Sequence, residues 1–277
     1  METKVVWVTG ASSGIGKAIA KQLVLDGYIV YASARRAEKM DDLKALGANI
    51  LPLDVTDEKR AQDCYAKIAK THGGVDVLVN NAGFALTGAV EDVPIDQARA
   101  EFDVNVFGAS RLTALCLPYM RKKRCGRIIS ISSIGGKIFS PMTGWYFASK
   151  HAIEALSKCL RLEVRPFGID VVVIRPGLIA SELSDKTIDA LESISYGGAY
   201  ADLSARVTRL MNGYKPLESD PMVVAKAVSR AIRVKRPKQA YAVGRFAKLS
   251  LFAFWLIPER WMTGVMNGFS KKKKGDG

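Results

Sequence analysis

Residues 9–16 read Thr9-Gly10-Ala11-Ser12-Ser13-Gly14-Ile15-Gly16, and this short stretch decides the fold. It follows the apolar run at residues 4–9, which is typical of a strand buried on both faces of a parallel sheet. It precedes residues 14–26, where apolar side chains recur at helical spacing. Glycines at such a junction let a pyrophosphate approach bare backbone at the positive end of a helix dipole. The stretch therefore predicts a dinucleotide-binding turn.

The rest of the chain continues the alternation of strands and helices. Further strands are predicted at residues 28–34, 50–53, 75–80, 127–132, 169–175 and 239–243, and helices at residues 57–72, 98–122, 146–164 and 221–234. Right-handed crossovers place such helices on both faces of one sheet. The pattern predicts a single α/β Rossmann-like domain with a doubly wound, seven-stranded parallel sheet. We expect the catalytic domain at residues 1–245, a substrate lid at about 178–221, and a C-terminal extension at 246–277.

Composition narrows the classes of protein that fit. The 277 residues are 48% hydrophobic, which is enough for one substantial core. The first strand begins almost at Met1, with no room for a secretory signal pattern, so we expect a cytoplasmic protein. Four cysteines without a C-x-x-C pair and only two histidines predict a reduced protein without a metal site.

The net charge of +14 is concentrated near the C-terminus. Between Lys226 and Gly277 there are 13 lysines and arginines and two acidic residues. No nucleic-acid recognition motif accompanies this charge, so we expect no nucleic-acid partner. Residues 249–257 form an apolar run that is shorter than the roughly 20 residues of a spanning helix. With Lys271–Lys274, this run is suited to peripheral contact with a membrane surface, and equally to packing on the substrate mouth or on a second subunit.

The end of the second predicted strand indicates the coenzyme. An acidic residue at this position binds the ribose of NAD and repels the 2′-phosphate of NADP. Here Ala34 takes that position and is followed by Arg35 and Arg36. The Arg35 guanidinium can pair bidentately with a phosphate while it stacks on the adenine. The sequence therefore predicts NADP(H).

Tyr146 and Lys150 are four residues apart in a predicted helix, so their side chains share one face. A phenol has an ordinary pKa of about 10, and a neighbouring ammonium favours its phenolate form. The pair therefore predicts an acid–base site. Taken alone, the same pattern is also typical of a surface aromatic residue beside a solvated lysine.

Several motifs in order along the chain resemble the short-chain dehydrogenase/reductase family over about residues 4–243. They are the turn Thr9–Gly16, Asp54-Val55, Asn80-Asn81-Ala82-Gly83, Asn105, Ser132-Ser133, Tyr146 with Lys150, and Pro176-Gly177. Residues 88–92 and 105–108 are similar to the subgroup of 17β-hydroxysteroid, retinol and acyl-dihydroxyacetone-phosphate oxidoreductases.

The resemblance implies roles for four catalytic residues. Tyr146 would be the general acid in reduction and the base in oxidation, and Lys150 would lower its pKa and hold the nicotinamide ribose. Ser133 would hydrogen-bond the substrate oxygen and stabilise its developing charge. Asn105 would hold a water that links Lys150 to bulk solvent.

The resemblance also implies the residues that contact the cofactor. They are Gly10, Ser12, Ser13, Gly14, Ile15 and Gly16 in the turn, Arg35 and Arg36 at the 2′-phosphate, Asp54 and Val55 at the adenine, Asn81, Ala82 and Gly83 beside the adenosine ribose, Tyr146 and Lys150 at the nicotinamide ribose, and Pro176, Gly177, Ile179 and Ser181 at the carboxamide. Ser181 stands where the family commonly has threonine, and a hydroxyl is retained.

These residues predict an NADP(H)-dependent oxidoreductase that interconverts a ketone or aldehyde and an alcohol. Apolar residues at 178–221, Leu183, Leu191 and Tyr196 among them, favour a steroid-, retinoid- or lipid-like substrate, and are equally suited to packing two short helices. The alternative is a catalytically idle nucleotide-binding scaffold or regulator on the same fold. An epimerase or dehydratase of the extended branch is disfavoured by the glycine spacing and the short chain. The resemblance implies a homodimer or homotetramer joined through helices 103–122 and 146–164.

Overall fold

The computed structural model describes residues 3–195 and 197–270. Seven parallel strands form one sheet in the order β3-β2-β1-β4-β5-β6-β7. The strands are β1 Val5–Thr9, β2 Ile29–Ala34, β3 Asn49–Pro52, β4 Val77–Asn80, β5 Gly126–Ile131, β6 Ile169–Pro176 and β7 Ala240–Val243. The helices are α1 Gly14–Leu25, α2 Asp41–Ala45, α3 Glu58–His72, α4 Ile95–Phe102, α5 Ala109–Lys123, α6 Gly144–Val164, α7 Glu182–Ser195, α8 Ala201–Tyr214, α9 Met222–Arg233, α10 Ala247–Leu256 and α11 Glu259–Ser270.

The predicted fold class is confirmed, and the predicted strands are all present with ends that differ by one or two residues. The helix predicted at residues 98–122 is a longer helical stretch with an interruption. A π-helical turn, Asp103–Gly108, separates α4 from α5. Such turns often mark functional sites, because they redirect side chains within a helix.

Strand β1 explains why an apolar run decides the fold. Its side chains alternate between the two faces of the sheet: Val6 and Val8 join a core under α1 and α9, whereas Val5 and Trp7 join a core under α3 and α5. All five residues of the strand are buried. Because helices cover both faces of the sheet, the side chains on both faces of β1 are buried and mostly apolar.

Strands β1, β4, β5 and β6 end at the same edge of the sheet, since all are parallel. The loops that follow Thr9, Asn80, Ile131 and Pro176 therefore meet there. In open α/β sheets this carboxyl edge, where the strand order reverses, is where ligands bind.

Helices α7 and α8 occupy most of the predicted lid. Leu191 and Val207 pack in a cluster with Ala89 and Met142, which belong to loops near the same sheet edge. Hydrogen bonds also tie the lid to the loop after β4: the Thr87 hydroxyl donates to the carbonyl oxygen of Thr187 at 2.5 Å. Much of the apolar content of the lid is therefore used in packing. The Leu183 side chain and all of Tyr196, which were also predicted to belong to this apolar set, lie outside the described residues.

The C-terminal extension forms helices α10 and α11. The ring of Phe254 on α10 lies 5.3 Å from the ring of Phe139, in an edge-to-face arrangement. Helix α10 also contacts the short 3₁₀ turn Ile134–Gly136, which directly follows Ser133. Within the described part of the chain, no helix is long and apolar enough to cross a membrane. Lys271–Lys274, predicted to contact anionic headgroups, lie outside the described residues.

Candidate functional site

The glycine turn between β1 and α1 leaves no space for side chains. A Cβ atom on Gly16 would lie 2.2 Å from the carbonyl oxygen of Gly10, and one on Gly10 would lie 2.8 Å from the Cα of Ala82. Ser13, the residue before α1, makes no side-chain cap to the first helical turn. The amide groups at the start of α1 are therefore available to an anion, which fits the pyrophosphate of a dinucleotide. Ser12, Ser13 and Ile15 are half-buried in this turn.

Thr9 and Asn81 hold the turn in shape. The Thr9 hydroxyl accepts hydrogen bonds from the backbone amides of Asn81 and Ala82, both at 3.0 Å. The Asn81 side chain donates to the carbonyl oxygens of Thr9 at 2.8 Å and of Gly10 at 3.2 Å. Asn81 thus cross-links the loop after β4 to the glycine turn. This bracing role was not predicted from the sequence, where Asn81 was expected to contact the ribose.

The two arginines after β2 differ in position. The Arg36 guanidinium lies 3.5 Å from the Ser12 hydroxyl and 3.1 Å from a carboxylate oxygen of Glu182. Arg35 is exposed. Arg36 is therefore the arginine that borders the glycine turn, and it also joins the turn to the first residue of α7.

The predicted adenine contacts lie just after β3. Asp54 is half-buried, and one of its oxygens accepts hydrogen bonds from the amide and the hydroxyl of Thr56, at 2.9 and 2.8 Å. Val55 is buried, and its side chain packs so closely on Gly108 that a Cβ there would lie 2.7 Å away. Both residues have fixed positions near the carboxyl edge of the sheet.

The predicted carboxamide pocket follows β6. Gly177 has no room for a Cβ, because the carbonyl oxygen of Arg245 would lie 2.4 Å from it. Ile179 is buried, and Ser181 lies across from Gly14, with 3.2 Å between its Cβ and the Cβ position of that glycine. The segment after β6 therefore lies against the start of α1.

The structure brings the predicted catalytic side chains together. Ser133 follows β5, and its hydroxyl is hydrogen-bonded with Tyr146 in the first turn of α6. The Lys150 ammonium lies 5.7 Å from the centroid of the Tyr146 ring and donates to the carbonyl oxygen of Ile131 at 3.1 Å. Lys150 is only 7% exposed. A hydroxyl, a phenol and an ammonium thus converge at the end of β5.

Asn105 lies in the π-helical turn and is fully engaged with its surroundings. Its oxygen accepts from the amide of Phe84 at 3.0 Å, and its nitrogen donates to the Phe84 carbonyl at 2.9 Å and to the Ser149 hydroxyl at 3.0 Å. A Cβ on Gly83 would lie 2.7 Å from the Asn105 oxygen and 3.7 Å from the Lys150 nitrogen. Asn105 and Lys150 therefore flank the same glycine.

The electrostatics of the pair differ from the sequence-based expectation. Burial raises the pKa of Tyr146 to about 12, which its hydrogen bond with Ser133 only partly opposes. Burial also lowers the pKa of Lys150 to about 8. The expected depression of the phenol pKa by Lys150 is not seen, because the cost of burying phenolate outweighs the stabilising interactions.

Glu101 is a site residue that the sequence analysis missed. It lies on α4 with no exposed surface, and one carboxylate oxygen accepts from the amide of Leu86 at 3.1 Å. Its negative charge raises the pKa values of Lys150 and Tyr146. The available signal was its spacing, four residues before Asn105 on the same helical face.

The chain is similar to known short-chain dehydrogenases and reductases. A family model described as short chain dehydrogenase matches residues 4–192. A 3-ketodihydrosphingosine reductase of Bacteroides thetaiotaomicron is 34% identical, over 97% of this chain and 98% of its own length. An NADPH-dependent 3-dehydrocapnine reductase of Ornithobacterium rhinotracheale is 35% identical, over 96% of each chain. A solved short-chain dehydrogenase from Streptomyces avermitilis is 34% identical with a TM-score of 0.81, covering 97% of this chain and 96% of its own.

Proposed function

The chain belongs to the short-chain dehydrogenase/reductase family of nicotinamide-dependent oxidoreductases, and on this premise we propose that it interconverts a lipophilic ketone and its alcohol with NADP(H). The observation that carries the proposal is the convergence of Ser133, Tyr146 and Lys150 beside the glycine turn. A complete set of catalytic groups argues against an idle scaffold, because the fold alone would not require it.

The mechanism assigns roles to the cofactor and to four side chains. The bound cofactor would supply the hydride, and the protein aligns it with the carbonyl carbon. The Ser133 hydroxyl donates a hydrogen bond to the carbonyl oxygen, and the Tyr146 phenol gives that oxygen its proton. The Lys150 ammonium stabilises the phenolate that remains. We assign Asn105, which flanks Gly83 together with Lys150, to the path by which solvent would replace the proton.

The protonation state of Tyr146 is the one that the reductive direction requires. With its pKa raised to about 12, the phenol carries its proton at neutral pH and is ready to donate it. A base for alcohol oxidation would instead have to lose that proton first. This agrees with the two relatives named above, both of which are reductases by name.

The substrate we propose is a long-chain or otherwise lipid-like ketone. The names of the two reductases support a lipid substrate class. Near the site, the aromatic rings of Phe139 and Phe254 supply apolar surface just beyond Ser133. Such surface suits a hydrocarbon chain better than a charged sugar, because buried polar groups require hydrogen-bond partners.

Turnover with NADPH and NADH over a panel of aliphatic, steroid, retinoid and quinone ketones tests the function and the coenzyme together. We expect the wild-type protein to reduce lipophilic ketones with NADPH in preference to NADH. Arg36→Ala should raise the KM for NADPH roughly tenfold or more and leave that for NADH unchanged, because a charge-assisted hydrogen bond contributes about 1.5–3 kcal/mol.

Arg35→Ala is the comparison for this experiment, because it removes the neighbouring guanidinium that the sequence predicted to contact the phosphate and that is exposed in the structure. It should have a much smaller effect on the KM for NADPH. Equal effects of the two variants, or a wild-type preference for NADH, would contradict the assignment of Arg36 to the 2′-phosphate.

We propose a homo-oligomer joined through the two helical segments that the family resemblance implies. Phe107 in the π-helical turn and Leu156 and Leu162 on α6 are large apolar side chains exposed on these segments. Large apolar side chains left exposed on a helical surface are typical of subunit interfaces.

The C-terminal extension supports contact with a membrane surface. Leu249, Phe252, Trp255 and Leu256 lie at helical spacing on α10 and are exposed, Trp255 at 78%. The cations Arg245, Lys248 and Arg260 are exposed beside them. An aromatic and aliphatic stripe bordered by cations complements the interface of an anionic bilayer. We propose that this surface binds anionic lipid, next to the mouth by which a lipophilic substrate enters.

Cosedimentation with vesicles of anionic phospholipid tests the contact. The double variant Phe252→Ser, Trp255→Ser should bind at least about tenfold more weakly, since each large apolar side chain contributes roughly 1.5–3 kcal/mol on burial. Leu25→Ser, at the end of α1, removes an exposed apolar side chain elsewhere and should bind as the wild type does. Unchanged vesicle binding, or a changed oligomeric state in its place, would contradict the proposal.

A further inference from the structure

The carboxylate of Glu101 is buried without full compensation. The side chain is 0% exposed. One oxygen accepts from the amide of Leu86 at 3.1 Å and lies 3.5 Å from the Asn105 side-chain nitrogen. The other oxygen has no hydrogen-bond partner among the described residues. A carboxylate removed from water in this way is costly unless it is paired with a cation or fully hydrogen-bonded.

Among the described residues, the surroundings of Glu101 offer one cation with which its carboxylate can interact. The titratable groups of the described residues that face it are Lys150 and Tyr146, both on α6, which packs on α4. From the other elements it meets only uncharged groups, the Leu86 amide and the Asn105 side chain. Lys150 is the cation that the carboxylate can stabilise.

A purely structural role would not need a carboxylate. A neutral amide side chain of the same length accepts equally well from the Leu86 amide. It would also spare the protein the cost of burying a charge. What the amide cannot supply is negative charge beside Lys150, whose ammonium burial disfavours.

We propose that Glu101 is a positioning residue whose buried carboxylate acts through Lys150 and Tyr146 to set the pH range in which this pair donates a proton. The inference rests on the proposed oxidoreductase function of the same site.

The protonation state of Glu101 makes the effect depend on pH. Burial raises its pKa from the ordinary 4.5 to about 7, against the opposing effects of the Leu86 amide and of Lys150. Below this range the carboxyl is neutral, and its influence on the pair is absent. Above it the carboxylate is negative, so it holds protons on Lys150 and Tyr146.

The first test is the pH profile of kcat/KM for ketone reduction in Glu101→Gln. The profile of the wild type falls at high pH as the Tyr146–Lys150 pair loses its proton. In the variant this fall should occur about one pH unit lower, because the negative charge that retains the proton is gone. At pH values below about 6 the two proteins should behave alike.

Two further variants distinguish the effect of the negative charge of Glu101 from the effect of changing its side-chain packing. Asp96→Asn removes an exposed carboxylate from the same helix and should leave the profile unchanged. Glu101→Asp keeps the charge on a shorter side chain, and should retain the profile of the wild type more closely than the glutamine variant does.

The second test measures unfolding by urea and needs no substrate. A folded-state pKa raised above the unfolded value means that the folded protein holds the extra proton, so stability is lost as pH rises from about 4.5 through about 7. The wild type should therefore lose stability relative to Glu101→Gln over this interval. A difference that is constant with pH would overturn the inference.

The outcomes distinguish this inference from the proposed function. An active wild type whose pH profile coincides with that of Glu101→Gln overturns the role of Glu101 alone. A wild type without turnover on any ketone overturns the proposed function and the inference together.

Discussion

Tyr146→Phe should reduce NADPH-dependent turnover of a ketone by roughly 10²–10⁴-fold, the usual contribution of a positioned general acid. The substitution keeps the aromatic ring and deletes the hydroxyl that is hydrogen-bonded with Ser133. The glycine turn and Arg36 are untouched, so affinity for NADPH should be retained. Steady-state kinetics and calorimetric titration with NADPH measure the two quantities separately.

Tyr65→Phe provides the control, because it deletes a phenol hydroxyl from α3, outside the proposed site. It should leave turnover unchanged. If Tyr146→Phe retained near-wild-type turnover, Tyr146 would not be the proton donor, and the proposed mechanism would fail even with NADPH bound.

Gly16→Ala should weaken NADPH binding strongly, although it adds a single methyl group. The new Cβ would lie 2.2 Å from the Gly10 carbonyl oxygen and 2.4 Å from the Asn81 side-chain nitrogen. Neither neighbour can yield easily, since one is backbone and the other is held by Thr9. The turn must open, which displaces the amides at the start of α1. Overpacking of this kind costs about 1–3 kcal/mol, or roughly 5- to 150-fold in affinity if it falls on binding.

Gly213→Ala is the matched control. This glycine lies in α8, and nothing lies within 4 Å of its Cβ position. Its replacement should leave the Kd for NADPH unchanged and slightly stabilise the helix. Thermal unfolding of both variants checks that Gly16→Ala remains folded. Unchanged NADPH affinity in a folded Gly16→Ala protein would remove the glycine turn from the binding site.

The fold was predictable from local patterns because burial on both faces imposes a distinctive sequence on a central strand. Strand β1 consists only of Val, Trp and Thr, and a strand with one solvated face does not require such a run. The spacing of Tyr146 and Lys150 likewise predicted a shared helical face. Their proximity to Ser133 then follows once β5 and α6 are adjacent elements.

What the sequence did not reveal depends on distances between elements far apart in the chain. Glu101 is an ordinary residue for an exposed helix, and only packing of α4 on α6 buries it. The direction of the Tyr146 pKa shift depends on desolvation, which has no signature in local sequence. The choice between Arg35 and Arg36 depends on which way each side chain leaves the end of β2.

The ion pair between Arg36 and Glu182 couples the coenzyme site to α7. If Arg36 receives the 2′-phosphate, the arriving coenzyme competes with the Glu182 carboxylate, which lies 3.1 Å away at the first residue of α7. Lys39, 3.9 Å from the same carboxylate, and the hydrogen bond from Thr87 to Thr187 still hold α7. Coenzyme binding would therefore loosen one of several contacts of α7 and leave the rest of the lid in place.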